Sequence, residues 1–466
     1  MTGGADRLPE GVLVAWYGDD FTGSAATMEV LAFAGLASVL FLDIPTAEDL
    51  ARFPGARGIG IAGIARSKPP QWMDENLPPV FAALAAIGAP VSHYKICSTL
   101  DSAPHVGSIG RAIDLAAPIL GGAWHPLIVA APPIGRYQAF GTLFALYDGA
   151  VHRLDRHPTM SRHPVTPMHE ADVRRHLSLQ TARRIGLVDR LGLHRDADAA
   201  LGQARADGAE IVAIDVMDED DLARAGRLVW ENRGARLFAI GSQGVEYALV
   251  AHWRAAGLID AAPPAPSAGP AERMAVVSGS CAPQTAAQIT HAAAEGFEII
   301  RLDASHAVDA AAFEAELARA EGAALAALGR GRAPIVATAE GPDDPAVAAV
   351  NGAVAARGVD AAVVNERIGR GLGTLLGRLI AEARLPRAVI AGGDTSGYGA
   401  LSLGIRALTA LAPTVPGAAL CRAHFADADR APLEIALKGG QMGAPDYFTS
   451  IRNGGGGTVA ARSKAA

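Results

Sequence analysis

Short β-branched runs alternate with longer Ala- and Leu-rich segments along this chain, and that rhythm constrains the fold more than any other feature. The runs "VLVAWYG" (12–18), "SVLFLD" (38–43), "RGIGIAG" (57–63), "HYKICS" (93–98) and "PLIVAAP" (126–132) read as buried strands. Helical patterns such as "TMEVLAFAGL" and "MDENLPPVFAALAAIG" stand between several of them. Strand, helix, strand in this order builds an α/β fold with a mostly parallel sheet. The rhythm continues through "RRIGLVD", "EIVAIDV" and "RLFAIGS" and then stops at "DAAPPAPSAGPAE" (260–272). The prolines of that polar stretch cannot occupy a helix interior or a central strand, so it reads as a linker. Beyond it the rhythm restarts with "RMAVVSGS" (273–280), "FEIIRLD" (297–303), "APIVATA" (333–339), "RAVIAGGDT" (387–395) and "LEIALKGG" (433–440). The expectation is two α/β domains, 1–260 and 273–450, joined by a Pro-rich linker at 261–272. The Gly-rich tail 451–466 is expected to be disordered.

Composition narrows the partners. Half of the 466 residues are hydrophobic, enough for two cores, and only 5% are aromatic. The formal charge is −7, with acids and bases interspersed, which argues against a general nucleic-acid binder. Cys97, Cys281 and Cys421 lie far apart and form no CxxC pair, which points away from a zinc site or disulfide framework and toward a reducing, cytoplasmic setting. No run approaches the ~20 apolar residues of a membrane span. The polar N-terminus lacks the apolar core of a signal peptide. Small-molecule partners are expected, with neither nucleic acid nor membrane; self-association is left open.

Strand ends that run into small polar residues carry the chemistry. In the second domain, one strand ends in Ser278, Gly279 and Ser280. Another ends in Gly392, Gly393, Asp394 and Thr395, and a third in Lys438, Gly439 and Gly440. Ligands of open α/β sheets sit outside the carboxyl ends of the strands. Glycine lets a phosphate approach the backbone, and a helix N-terminus offers it free N–H groups. Three such turns suggest a nucleotide site, with Lys438 either part of it or a solvated surface lysine. "ERIGRGLGTLLGRL" (366–379) lacks GxGxxG spacing and reads as one helix with small residues on a packing face. No GxxxxGK[ST] loop is present.

In the first domain, "AWYGDDFTGS" puts Asp19 and Asp20 at the end of the first strand, before the Thr22-Gly23 turn. A helix N-cap explains one acid but not both. The other reading is that a carboxylate accepts a proton from a substrate hydroxyl. "YKICSTLDSAPHVGSIG" gathers Lys95, Ser98, Thr99, Asp101 and Ser102, which suit a small polyhydroxy acid. Lys95 pairing with Asp19 or Asp20 for structural reasons is the alternative. Arg136, in "PPIGRYQAF", has the fork that holds carboxylates. His152, His157, His163 and His169 share no helical face, so the segment reads as a long ordered loop covering the site rather than a metal centre.

Taken together, "GDDFTGS", "KICST", "VVSGSCAPQTAAQI", "AGGDTSGYGALSLGI" and "KGGQMGAPDYF" resemble the four-carbon acid sugar kinase family over nearly the whole chain. The resemblance implies ATP, with Mg²⁺, phosphorylating a hydroxyl of a small acid such as threonate, erythronate or a 3-oxo-tetronate. It implies an acid-sugar domain first and a nucleotide domain second, with the reaction in the cleft between them. By position, Asp19 or Asp20 corresponds to the catalytic base or the ligand of the substrate hydroxyl. Thr22, Lys95, Ser98, Thr99 and Arg136 correspond to the acid-sugar pocket. Ser278, Ser280, Gly392, Gly393, Asp394, Thr395, Gly439 and Gly440 correspond to the nucleotide site. The chain departs from the commoner pattern in the substrate half. "STLDSAP" stands where many members have Ser-Thr-Leu-Arg-Gly, and "RHPTMSRHPVTP" is longer and more basic. A branched oxo acid such as 3-oxo-isoapionate is therefore an alternative substrate. A silent sensor of acid sugar and nucleotide is the alternative from another functional class.

Overall fold

The strand-forming runs fall into two groups, one on each side of the proline stretch. The computed structural model describes residues 7–427 and 430–456, the side chain of Asp394 excepted, and divides into two compact units, Met1–Pro263 and Pro264–Ala466. In the first unit the strands are β1 (Val14–Gly18), β2 (Ser38–Phe41), β3 (Gly58–Ala62), β4 (Val91–Lys95), β5 (His125–Ile128), β6 (Arg136–Ala139), β7 (Thr142–Tyr147), β8 (Ala150–Arg153), β9 (Ile185–Val188), β10 (Ile211–Ile214) and β11 (Leu237–Gly241). Its main sheet runs β2-β3-β1-β4-β11-β5-β10-β9, every neighbour parallel. In the second unit they are β12 (Met274–Ser278), β13 (Glu298–Arg301), β14 (Pro334–Ala337), β15 (Arg387–Ala391), β16 (Ile405–Ala412), β17 (Leu420–Phe425) and β18 (Leu433–Lys438). They run β13-β14-β12-β15-β18-β17-β16, parallel as far as β18 and antiparallel across β17 and β16.

Burial explains the strand composition. β1, β3, β4 and β11 are buried along their whole length, as parallel strands covered on both faces must be. On one face of the first sheet Tyr17 stacks on Tyr94 at 6.0 Å, and Phe81 meets both rings edge-on. A helix at Glu219–Glu231 packs against another at Gly244–Ala255, with Trp230 and Trp253 edge to face at 5.0 Å. Gly226 permits this approach: a Cβ there would lie 1.8 Å from the Ala248 carbonyl oxygen. Since backbone is the obstacle, Gly226→Ala is expected to destabilise the fold by about 3 kcal/mol, read as a lowered midpoint in urea.

Two antiparallel elements were not anticipated. β6, β7 and β8 form a separate three-stranded sheet. Its turns are Phe140-Gly141, with φ of +51° and +78°, and Asp148-Gly149, with φ of +48° and +73°. Paired positive φ angles make tight hairpins, and Asp-Gly is their strongest sequence mark. The other unanticipated pair is β16 with β17. The "ERIGRGLGTLLGRL" segment lies inside a helix at Ala361–Ala383, where a Cβ on Gly371 would come within 2.5 Å of Phe313. Residues 451–456 of the expected tail are bonded to the fold. Gly454 accepts hydrogen bonds from Ala268 N–H and the Ser267 hydroxyl, and Gly456 N–H donates to Pro413. Residues 457–466 of the expected disordered tail lie outside the described residues.

Candidate active site

Sheet topology decides where residues of the first unit can act. From β1 the chain visits β2 and β3 on one side, then crosses to β4 on the other. The carboxyl ends of β3, β1 and β4 therefore flank the point where the winding reverses, the usual crevice of an open α/β sheet. β1 delivers Asp19 and Asp20, β3 leads into Arg66, and β4 ends on Lys95. Sequence reading missed Arg66, which joins the two acids. Its Nη2 donates to Asp19 Oδ1 and to Asp20 Oδ1, both at 2.6 Å, and its Nε reaches Asp19 Oδ2 at 3.3 Å. The Lys95–aspartate ion pair, the alternative reading of Lys95, is not the one formed. Lys95 Nζ donates to the Ile96 carbonyl at 2.7 Å, because Arg66 already occupies both carboxylates.

The two acids are not equivalent. Asp20 caps the helix Phe21–Ala32, accepting from Gly23 N–H at 3.0 Å and from the Thr22 hydroxyl at 2.7 Å. Thr22 thus braces Asp20. Burial pushes the Asp20 carboxyl up, but Arg66, Lys95 and the cap bonds together hold it below its ordinary value. Asp19 is 1% exposed, and burial pushes its carboxyl up despite Arg66. The Asp20 side chain is 24% exposed against 2% for Asp19, so Asp20 is the carboxylate open to a ligand. Lys95 is buried as well, and burial lowers its pKa even with both acids nearby.

The remaining pocket residues surround Cys97. Its Sγ lies 3.0 Å from the Thr99 hydroxyl, and it is within electrostatic reach of Arg66, Lys95, Asp101 and Arg136. Ser98 beside it is half-buried. Arg136 opens β6. Its Nη1 donates to the carbonyls of Ile134 and Gly135, both at 3.2 Å, while its Nε is buried with no partner. No carboxylate among the described residues pairs with it, and burial lowers its pKa. A half-buried guanidinium whose buried Nε has no partner has the chemistry to receive an anion. The two departures from the family pattern also meet. The Thr166 hydroxyl of the histidine-rich loop donates to Asp101 at 2.9 Å, and His163 Nδ1 lies 2.9 Å from Thr166 Oγ1. Ser102 is held by His176 at 2.9 Å and Gln180 at 3.0 Å, so it supports the turn.

The second unit repeats the topological device. From β12 the chain visits β13 and β14, then crosses back to β15, with β18 next to it. The turns after β12, β15 and β18 are therefore neighbours. Gly279 N–H donates to Ala391 and Gly392 N–H to Lys438. Thr395 Oγ1 sits where a Cβ on Gly279 would lie, at 2.3 Å, and Ser280 Oγ where one on Gly440 would, at 2.6 Å. Gly392 has φ of +122°, a conformation few other residues adopt. It caps the helix Gly393–Ser402, and Ala282 caps the helix Pro283–Ala294, neither with a side-chain bond. Two uncapped helix N-termini on one surface suit a polyanion. Ser278 is fully buried and accepts from Ser280 N–H, so it shapes the turn. Gly393 and Gly439 lie on the same turns, while the Asp394 side chain is outside the described residues. Thr285 was missed by sequence reading: its hydroxyl, 3.0 Å from Ser280 Oγ, donates to the Gly440 carbonyl at 2.9 Å. Lys438 is fully buried, which removes the solvated-surface reading.

A sugar-holding unit followed by a nucleotide-holding unit is the class that these sites define. Residues 14–249 match the family described as "Sugar-binding N-terminal domain", and residues 275–448 match "Nucleotide-binding C-terminal domain". The chain is 52% identical over 452 residues to a 3-oxo-isoapionate kinase of Paraburkholderia graminis, covering 97% of this chain and 96% of that one. It is 31% identical over 458 residues to a 3-oxo-tetronate kinase of Burkholderia multivorans, covering 96% and 97%. A crystal structure from Salmonella typhimurium shares the fold, with a TM-score of 0.74 and 24% identity over 94% of this chain and 98% of that one. The chain belongs to the four-carbon acid sugar kinase family. Among the described residues, no helix is long and apolar enough to cross a membrane.

Proposed function

We propose that this chain transfers the γ-phosphoryl group of ATP to a hydroxyl of a branched oxo acid sugar, with 3-oxo-isoapionate its best substrate. The observation that carries the acid-sugar reading is Arg136, a half-buried guanidinium with a buried, unpartnered Nε and no carboxylate partner among the described residues. The substrate's carboxylate would supply that partner, and Ser98 and Thr99 would hold its hydroxyls. Identity of 52% to the 3-oxo-isoapionate kinase, against 31% to the tetronate kinase, favours the branched acid. Asp101, engaged by Thr166, gives the pocket a wall that differs from the arginine of the commoner pattern.

Asp20 is the group assigned to the attacking hydroxyl. Phosphoryl transfer asks for positioning and charge stabilisation rather than a strong base. A carboxylate held ionised by Arg66 meets that need, since it is an acceptor at every working pH. Asp19 anchors Arg66, and Lys95 adds positive charge beside the reacting groups. ATP would lie on the turns at Ser280, Gly392, Gly393, Asp394, Thr395, Gly439 and Gly440. Among the described residues no three metal-ligating side chains gather. Mg²⁺ would therefore arrive with the nucleotide, held chiefly by phosphate oxygens and water, and would neutralise charge on the transferring group. The reducing cytoplasm suits the three cysteines, none of which is in a disulfide.

An ATP-consumption panel tests the assignment. It would contain D- and L-threonate, D-erythronate, 3-oxo-tetronates and 3-oxo-isoapionate. The expected result is a kcat/KM for 3-oxo-isoapionate at least about 10-fold above every linear acid, a preference one well-placed pocket contact can supply. A linear acid in first place would overturn the substrate. ATP binding with no turnover on any acid would favour the sensor reading.

A further inference from the structure

Lys438 stands at the convergence of the strand-end turns in the nucleotide-binding unit. Its ammonium donates to the Thr285 hydroxyl at 3.0 Å, the Gly439 carbonyl at 2.9 Å and, more weakly, the Gly440 carbonyl at 3.4 Å. The Tyr447 ring lies 6.0 Å away, its own hydroxyl donating to Ala418. Every one of these partners is neutral. Buried lysines are nearly always paired, because an isolated charge loses its hydration without compensation. Among the described residues, no carboxylate supplies the missing charge, and Lys438 takes part in no ion pair. Two helix N-termini of the same sign adjoin Lys438: its ammonium bonds Thr285 in the first turn of the helix Pro283–Ala294, and its carbonyl accepts from Gly392 N–H at the cap of the helix Gly393–Ser402. Among the described residues, this surface therefore concentrates positive potential without a counter-charge.

We infer that Lys438 is a positioning residue whose counter-charge is the polyphosphate of the bound nucleotide. It acts in two ways. By drawing the Gly439 and Gly440 carbonyls and Thr285 inward, it fixes the turn on which the phosphates rest. By remaining charged, it attracts them through the turn without touching them. The inference rests on the nucleotide assignment of this unit and goes beyond it, since glycine turns and helix ends alone would need no buried cation.

A proton linkage follows. Burial lowers Lys438 to about 8 in the free protein, with no described charged group opposing or adding to that shift. An anion placed nearby favours the ammonium and raises this value on binding. Nucleotide binding should therefore take up a proton at pH values just above 8, and affinity should fall as pH rises through that range. A rise of one unit corresponds to ~10-fold in affinity between the charged and neutral lysine.

The test is calorimetric titration of the full chain with ADP and with adenosine near pH 8.5, where the phosphates are fully ionised, in buffers of differing ionisation enthalpy. Net proton uptake with ADP but none with adenosine is expected. In Lys438→Met, ADP should bind about 10-fold or more weakly without uptake, while adenosine binds as before. A wild-type protein that binds ADP without proton exchange would overturn the inference, and so would Lys438→Met binding ADP as tightly as wild type. The wild-type measurement decides even where the variant does not fold. If the wild-type chain binds adenosine but gains nothing from the phosphates, the inference fails while nucleotide binding stands. If it binds neither ADP nor ATP, the nucleotide assignment itself fails.

Discussion

Asp20→Asn is expected to lower kcat by about 10²–10⁴ while leaving ADP affinity and overall folding intact. Asparagine remains a competent N-cap, so the helix Phe21–Ala32 keeps its start and Gly23 N–H keeps its acceptor. What disappears is the negative charge assigned to the substrate hydroxyl, which also answers Arg66 at 2.6 Å. Asp19→Asn should behave differently. Its side chain is sealed from solvent, and its removal frees the Arg66 guanidinium to shift toward Asp20. Activity should fall through displacement of Arg66, accompanied by a measurable loss of stability. Single-turnover kinetics and urea denaturation on the two variants separate these roles. Near-normal turnover in both would remove the acids from the mechanism.

Arg136→Met should raise KM for the acid sugar by about 10²-fold, with KM for ATP unchanged, since a charge-assisted pair buried from water is lost. The apo-protein should be as stable as wild type or more so. The exchange removes a half-buried cation with an orphaned, buried Nε and keeps most of the side-chain volume. Loss of substrate affinity together with retained or increased Tm is the signature of a group kept for its ligand. A variant that lost stability but bound substrate normally would make Arg136 a support of the β6 turn.

Much of the fold was legible because its signals are local. A fully buried parallel strand shows itself as a short β-branched run, and β1, β4, β12 and β15 all do. The paired acids after β1 stood out for the same reason: charge beside a buried strand is costly unless used. The unreadable part was non-local. Nothing in "IARSKPP" marks Arg66 as the partner of residues 47 and 46 positions earlier; strand order alone brings it there. Lys438 looked as much like a surface lysine as a site residue because burial depends on Thr285 and Tyr447, which arrive from other elements. The β6–β8 sheet is a different case. Its Asp148-Gly149 turn is a strong local signal that the dominant α/β rhythm obscured.

Asp215, at the end of β10, accepts hydrogen bonds from Phe140 N–H, from Gly141 N–H at 2.9 Å, from Arg190 N–H at 3.2 Å and from the Gln138 amide at 3.2 Å. Gln138 and Val216 also exchange backbone hydrogen bonds. The hairpin sheet carrying Arg136 is thereby riveted at its base to the main sheet, whereas Leu146, Tyr147 and Val151 near its far end face water. Arg136 lies toward that exposed end, paired with Ala145 and reaching the Leu146 carbonyl at 3.4 Å, and is held there by backbone hydrogen bonds exchanged with Ala131. On the proposed assignment, editing the loop at this exposed end would retune the preference among acids through the arginine's own neighbours, while Asp215 keeps the hairpin attached to the main sheet.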